Sequence, residues 1–99
     1  MNMFDQKLKK EIKKIVFRYL DPSKDKIFVF GSRAIGDNRK FSDVDIGIES
    51  RRKISSDTVE DIKEAFEESN LPYTVDVVNF SSVTKRFKNV AKQKIIYLN

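Results

Sequence analysis

The sequence predicts an α/β fold, a small mixed β-sheet flanked by helices. Apolar residues recur at helical spacing in three segments, and in three shorter segments they alternate with polar residues or run unbroken, as in strands. These segments follow one another in the order helix–strand–strand–helix–strand–helix, which is typical of a sheet covered by helices. With 99 residues, the chain has the length for one domain, residues 1–99, and not for two.

The first helix is predicted over about residues 4–20. Its apolar residues recur every three or four positions: Phe4, Leu8, Ile12, Ile15, Val16 and Tyr19. Asp21-Pro22 ends the helix, because proline disfavours helical geometry in the residue before it. Residues 26–30 then form a predicted central strand, since apolar side chains occupy both of its faces.

The second strand, residues 43–49, is predicted from strict alternation. Its faces carry Val44, Ile46 and Ile48 on one side and Asp43, Asp45 and Gly47 on the other. A second helix follows, marked by Val59, Ile62 and Phe66. Ser56 or Asp57 is available as its N-cap, and Leu71-Pro72 breaks it.

The third strand is predicted over residues 73–79, again by alternation. One face carries Tyr73, Val75 and Val77, and the other carries Thr74, Asp76 and Val78. A third helix from about Ser82 turns Val83, Phe87, Val90 and Ala91 inward. Residues 95–98 are predicted as a short edge strand. The predicted core includes the rings of Phe28, Phe30, Phe66 and Phe87.

Two absences restrict the chemistry. The chain has no cysteine and no histidine, which excludes thiolate metal sites, a cysteine nucleophile and a Ser-His-Asp relay. An enzyme of this composition must work with carboxylates, hydroxyls, cationic side chains and hard metal ions. No apolar run approaches membrane-spanning length and the first ten residues lack a signal-peptide core, so we expect a cytoplasmic protein without membrane contact.

Asp43 and Asp45 are the most informative acidic residues. Two positions apart on a strand, they share a face, with Cα atoms roughly 6.5 Å apart. A divalent cation such as Mg²⁺ relieves their repulsion by accepting oxygens from both. The alternative is a solvated strand face, which accounts for most isolated Asp-x-Asp pairs. Aspartate is a poor strand former, however, so two of them in an aliphatic strand favour a site.

Gly31-Ser32 follows directly after the first predicted strand. Glycine lets backbone approach a phosphate closely, and the serine hydroxyl can donate to it. The alternative for this dipeptide is a simple strand-ending turn. Arg33 could bind a phosphate in bidentate fashion or be an ordinary surface arginine.

Asp76 adds a third carboxylate, on a strand expected beside the Asp45 strand. Its alternative is an exposed edge position. Near a metal, such a residue can orient or deprotonate an attacking hydroxyl. The three aspartates together predict a two-metal phosphoryl-transfer site, which is specific in combination although no single piece is.

The run GSRAIGDNRKFSDVDIGI, with the later strand aspartate, resembles the nucleotidyltransferase superfamily that includes DNA polymerase beta, and in particular its minimal nucleotidyltransferases. The resemblance covers about residues 26–80. It implies that Gly31, Ser32, Arg33 and Ser42 bind the nucleoside triphosphate, ATP, and that Asp43, Asp45 and Asp76 are catalytic and hold two Mg²⁺ ions. Ile35 departs from the basic residue usual in this family at that position.

The resemblance also implies a partner. Minimal nucleotidyltransferases are often encoded beside a helical HEPN ribonuclease, which they neutralise as antitoxins by transferring AMP to a tyrosine. The alternatives are a catalytically silent antitoxin that acts by contact, and nucleotidyl transfer to a small molecule or an RNA end.

The chain as a whole is basic, with 20 Lys and Arg against 15 Asp and Glu, which suits anionic partners. Lys7, Lys10 and Lys14 share one stripe of the first helix, best interpreted as a solvated face, with an acidic partner or RNA as the alternative. The run Arg51-Arg52-Lys53 is interpreted as a polar turn, with a binding patch as the alternative.

Overall fold

The computed structural model describes residues 6–30, 44–82 and 95–99. Its elements are helix α1 Gln6–Val16, strand β1 Asp25–Phe30, strand β2 Val44–Ser50, helix α2 Ser56–Glu67, strand β3 Val75–Asn79, a short 3-10 helix Phe80–Ser82, and strand β4 Ile96–Tyr97. The predicted third helix lies outside the described residues beyond Ser82, and with it Phe87.

The four strands form one mixed sheet in the order β3-β2-β1-β4. β1 pairs antiparallel with both β2 and β4, whereas β2 and β3 run parallel. A parallel pair needs a crossover, and α2 provides it and packs against β3. β1 is therefore a central strand and β4 an edge strand, as the sequence predicts.

One face of the sheet is covered by α1 and α2. The strands contribute alternate residues to this core, including Ile27, Val29, Val44, Ile46, Ile48 and Val77. The helices contribute Leu8, Ile12, Ile15, Val16, Ile62 and Phe66. This division confirms the alternation read from the second and third strands, because Asp45 and Asp76 fall on the opposite face.

That opposite face carries an aromatic cluster formed by Phe28, Phe30 and Phe80. The rings meet edge to face, with centroids 4.9 Å apart for Phe28 and Phe80 and 5.0 Å for Phe30 and Phe80, a geometry that aromatic quadrupoles favour. Gly47 makes room for it. A β-carbon at position 47 would overlap the Phe28 ring and lie 2.8 Å from Phe80 Cε1.

We expect Gly47→Ala to destabilise the protein by about 1–3 kcal/mol, because the added methyl group overpacks this cluster. Urea denaturation of the variant measures the loss. Phe28→Leu supplies the matched background: if ring overlap is the cause, Gly47→Ala costs much less in the Phe28→Leu protein. Equal losses in both backgrounds would contradict this explanation.

Two local predictions require correction. Tyr19, predicted on the inward stripe of the first helix, is 40% exposed, and Leu20 is buried instead. α1 ends at Val16, and the chain then tightens, with the Tyr19 amide donating to the Val16 carbonyl at 3.0 Å. This tighter winding rotates later residues off the helical stripe. The N-cap of α2 is Ser55, whose hydroxyl accepts from the Thr58 amide at 3.1 Å.

Neither described helix is long and apolar enough to cross a bilayer.

Candidate functional site

Asp45 and Asp76 are direct register partners on the parallel strands β2 and β3. Residues paired in this way lie about 4.8 Å apart across the sheet and point to the same face. Asp45 is partly buried and Asp76 is exposed. Both lie on the face opposite α1 and α2, so the two carboxylates share an accessible side of the sheet.

The pair lies at the end of the sheet where β1 finishes. Phe30, the last residue of β1, is the register partner of Asp45, so Phe30, Asp45 and Asp76 form one row across three strands. The aromatic cluster extends from this row toward the middle of the sheet. The packed rings form a rigid apolar surface beside the two carboxylates, on the same face of the sheet.

The remaining predicted site residues lie outside the described residues: Gly31, Ser32, Arg33, Ser42 and Asp43. The chain leaves β1 immediately before Gly31 and enters β2 immediately after Asp43. The chain therefore leaves β1 and enters β2 at the end of the sheet that holds Asp45. Within the described ranges, no group of three or more acidic side chains that could hold a metal ion is present.

The donor set fits a hard divalent cation. Two carboxylates side by side repel one another when ionised, and a cation that accepts oxygen from both removes the repulsion. Mg²⁺ characteristically uses one or two carboxylates together with phosphate oxygens. Asp45 and Asp76 meet that requirement, and the exposure of Asp76 leaves room for a nucleotide.

A second polar cluster, which the sequence did not predict, lies at the opposite end of the sheet. Asp25 is fully buried and its carboxylate accepts four hydrogen bonds. The donors are the Asp21 amide at 2.9 Å, the Ser50 hydroxyl at 2.6 Å, and Arg52 Nε and Nη2 at 3.0 and 2.5 Å. The bonds from Arg52 hold the pKa of Asp25 well below its usual value, against the opposing effect of burial.

Arg51-Arg52-Lys53 is exposed and bends away after β2, in agreement with the polar turn expected from the sequence, and Arg52 in addition pairs with Asp25. Arg52 closes the end of the sheet, where Asp25 and Ser50 are register partners. The side chain of Asn99 adds to this closure by donating to the Asp25 carbonyl at 2.8 Å and accepting from the Ile27 amide at 2.8 Å. In the sequence, the only signals for this pair were Arg52 shortly after the second strand and Asp25 at the start of the first.

Comparisons with known proteins agree with the fold. The family described as "Polymerase beta, Nucleotidyltransferase" matches residues 8–99. A Haemophilus influenzae protein named "Probable protein adenylyltransferase MntA" is 31% identical over 72 residues, which is 73% of this chain. The chain spans 63% of that relative's length.

Two solved structures share the fold. A toxin–antitoxin structure with AMP-PNP superposes with a TM-score of 0.76 at 20% identity, over 92% of this chain and 72% of the other. A structure of the tri-AMPylated HEPN toxin of Shewanella oneidensis in complex with MNT antitoxin gives a TM-score of 0.63 at 18% identity, over 92% and 71%. These likenesses confirm the predicted mixed sheet flanked by helices. With a family match over nearly its whole length, this chain belongs to the polymerase beta nucleotidyltransferase family.

Proposed function

We propose that the chain is a protein adenylyltransferase that moves AMP from ATP to a tyrosine of a HEPN-family toxin, and so acts as the antitoxin. The observation that carries the proposal is the register pairing of Asp45 with Asp76 on adjacent parallel strands, at the sheet end where β1 finishes. The proposal assigns the whole site to one nucleotidyltransferase domain, residues 1–99, working in the cytoplasm, where ATP is available.

The proposed site residues have two roles, metal binding and triphosphate binding. Asp43, Asp45 and Asp76 would hold Mg²⁺, and Gly31, Ser32, Arg33 and Ser42 would hold the triphosphate. Bound Mg²⁺ supplies charge stabilisation at the phosphate oxygens during transfer. Two ions fit three carboxylates, since each ion needs only one or two of them beside the phosphates.

In the reaction, the tyrosine oxygen attacks the α-phosphorus of ATP, the bond from the α-phosphorus to the bridging oxygen breaks, and pyrophosphate leaves. Asp76 is the more exposed carboxylate of the pair, so it is the one that an incoming acceptor meets. It orients the tyrosine hydroxyl and can accept its proton. Asp45, set into the row beside Phe30, keeps its position relative to Asp76 through the backbone pairing of β2 and β3.

The comparisons support the reaction and the partner. The curated relative is named a probable protein adenylyltransferase. The structural neighbours contain an ATP analogue in one case and an AMPylated HEPN toxin in the other. A small domain also suits a folded acceptor, which brings its own docking surface.

The proposal is tested by incubating the purified protein with ATP, Mg²⁺ and a HEPN-family partner protein, followed by intact-mass and peptide mass spectrometry. We expect the partner to gain the mass of one or more AMP units on tyrosine. Omitting Mg²⁺ or replacing the acceptor tyrosine with phenylalanine should remove the gain. A stable complex with an unmodified partner would reject transfer and favour neutralisation by contact.

A further inference from the structure

A cationic cleft of about 790 Å³ lies at the sheet end opposite the aspartate pair. It is formed by the turn before β1, the end of β2 and the residues that follow it. Its lining includes four cations, Lys24, Lys26, Arg51 and Arg52, against one carboxylate, Glu49. Glu49 lies four residues from Asp45 on the same strand, about 13 Å away, so the cleft is separate from the candidate catalytic site.

The cleft keeps an excess of positive charge. Arg52 is neutralised by buried Asp25. Lys24, Lys26 and Arg51 are exposed, and within the described ranges none of the three forms a salt bridge with an acidic side chain. Lys26 Nζ donates to the Asn99 backbone oxygen at 3.3 Å. The charges of Lys24 and Arg51 are therefore available to a ligand, and the ammonium of Lys26 keeps two further donors.

The walls behind these cations are held in place. Ser23 donates its amide and hydroxyl to Asp21 at 2.9 and 2.7 Å, which fixes the turn that presents Lys24. The Asp25 cluster fixes Arg52 and, with it, the backbone beside Arg51. A backbone held in place loses less entropy on binding than a mobile one.

An exposed aromatic ring borders the cleft. The Tyr97 hydroxyl donates to Glu49 at 3.3 Å, which ties the tyrosine to the cleft wall. Its ring packs edge to face on Phe28, with centroids 5.6 Å apart, yet the residue is 44% exposed. An open aromatic face beside a cationic groove is the combination that single-stranded nucleic acids use, with phosphates on the cations and a base on the ring.

We propose that this cleft binds single-stranded nucleic acid, with Lys24, Lys26 and Arg51 contacting phosphates and Tyr97 stacking on a base. An acidic peptide would satisfy the cations but would leave the exposed ring without a role. The proposal does not depend on adenylyl transfer, because it uses none of the proposed catalytic residues.

Fluorescence anisotropy tests the proposal with labelled single-stranded RNA and DNA of the same sequence, each about 12 nucleotides long, near the site sizes of such grooves. For three phosphate contacts, we expect the logarithm of the affinity to fall against the logarithm of salt with a slope of about −2. The RNA and DNA arms identify which of the two the cleft prefers. Saturating ATP with Mg²⁺ should leave binding unchanged.

The decisive variant is Lys24→Gln/Lys26→Gln/Arg51→Gln, which should weaken binding about tenfold or more and flatten the salt dependence. Its matched control, Lys10→Gln/Lys14→Gln/Arg18→Gln, removes the same charge from exposed positions on and just after α1. We expect the control to bind nearly as well as the unaltered protein. Equal losses in both variants would mean that net charge or the lysine stripe of α1, and not the cleft, causes binding, and would overturn the proposal.

Tyr97 supplies a second readout. Tyr97→Phe keeps the stacking face and should bind as before, whereas Tyr97→Ala should lose about fivefold or more. Circular dichroism checks that each variant is folded. Equal binding by the alanine and phenylalanine variants, or displacement of RNA by a poly-glutamate peptide at equal charge concentration, would reject nucleic acid as the ligand.

Discussion

Asp45→Asn should reduce adenylyl transfer about a thousandfold or more, a loss of ~4 kcal/mol in transition-state stabilisation. The amide preserves the shape of the carboxylate but removes the negative charge that a divalent cation requires. Asp76→Asn should behave similarly, because the two residues are register partners on one face. Transfer is measured as the initial rate of AMP incorporation into the proposed HEPN-family partner at saturating ATP and Mg²⁺.

Glu49→Gln is the matched control for this substitution. Glu49 lies on the same strand and the same face as Asp45, but at the other end of the sheet. The variant should retain the unaltered rate, and all three variants should have the same thermal unfolding midpoint to within a few degrees. Full activity of Asp45→Asn, or an equal loss in Glu49→Gln, would remove the acidic pair from the mechanism.

Asp25→Asn should lower the free energy of unfolding by about 2–3 kcal/mol, because all four groups around this buried carboxylate are hydrogen-bond donors. The amide NH₂ of asparagine would face one of these donors and leave it unsatisfied. For a protein of this size, the loss corresponds to a decrease of roughly 10 °C or more in the unfolding midpoint. Differential scanning calorimetry measures it.

The same substitution should change how stability depends on pH. The pKa of Asp25 is lowered in the folded protein, from a usual value of 3.8. As pH falls below about 4, the unfolded chain therefore binds a proton before the folded protein does, and stability decreases. The stability from Asp25 is fully present above this range, so the difference between the two proteins should shrink as pH falls from about 6 to 3.

Exposed Asp61 supplies the control: Asp61→Asn should change stability by less than about 0.5 kcal/mol. A constant difference across this pH range would mean that the charge of Asp25 is not the cause.

Local patterns predicted much of this fold. Strict alternation identified both strands that carry aspartate, and the apolar residues on both faces of residues 26–30 identified the central strand. The alternation also predicted that Asp45 and Asp76 leave the core on the same side. These features depend on which side chains are buried. Burial constrains each segment separately, so it produces a periodic spacing of apolar residues that can be read from the sequence.

Features that depend on pairing between distant residues were not predictable in the same way. The Asp25–Arg52 pair forms only because the β1–β2 register places Asp25 opposite Ser50, and no periodic signal marks that register. Tyr19 was misplaced because the chain tightens after Val16, a change that spacing does not report. The glycine–serine turn, Arg33, Ser42 and Asp43 remain predictions, since they lie outside the described residues.

The parallel pairing of β2 with β3 also has a consequence for folding. Because side chains alternate along a strand, sliding β3 by one residue would turn Asp76 into the apolar layer beneath α2 and expose Val75 and Val77. A carboxylate forced into hydrocarbon is costly enough to disfavour the slipped arrangement. Asp76, which is proposed to contact the acceptor, thus also disfavours the wrong register of β3. A sheet in the wrong register would not place Asp45 and Asp76 side by side, so it would lack the proposed site.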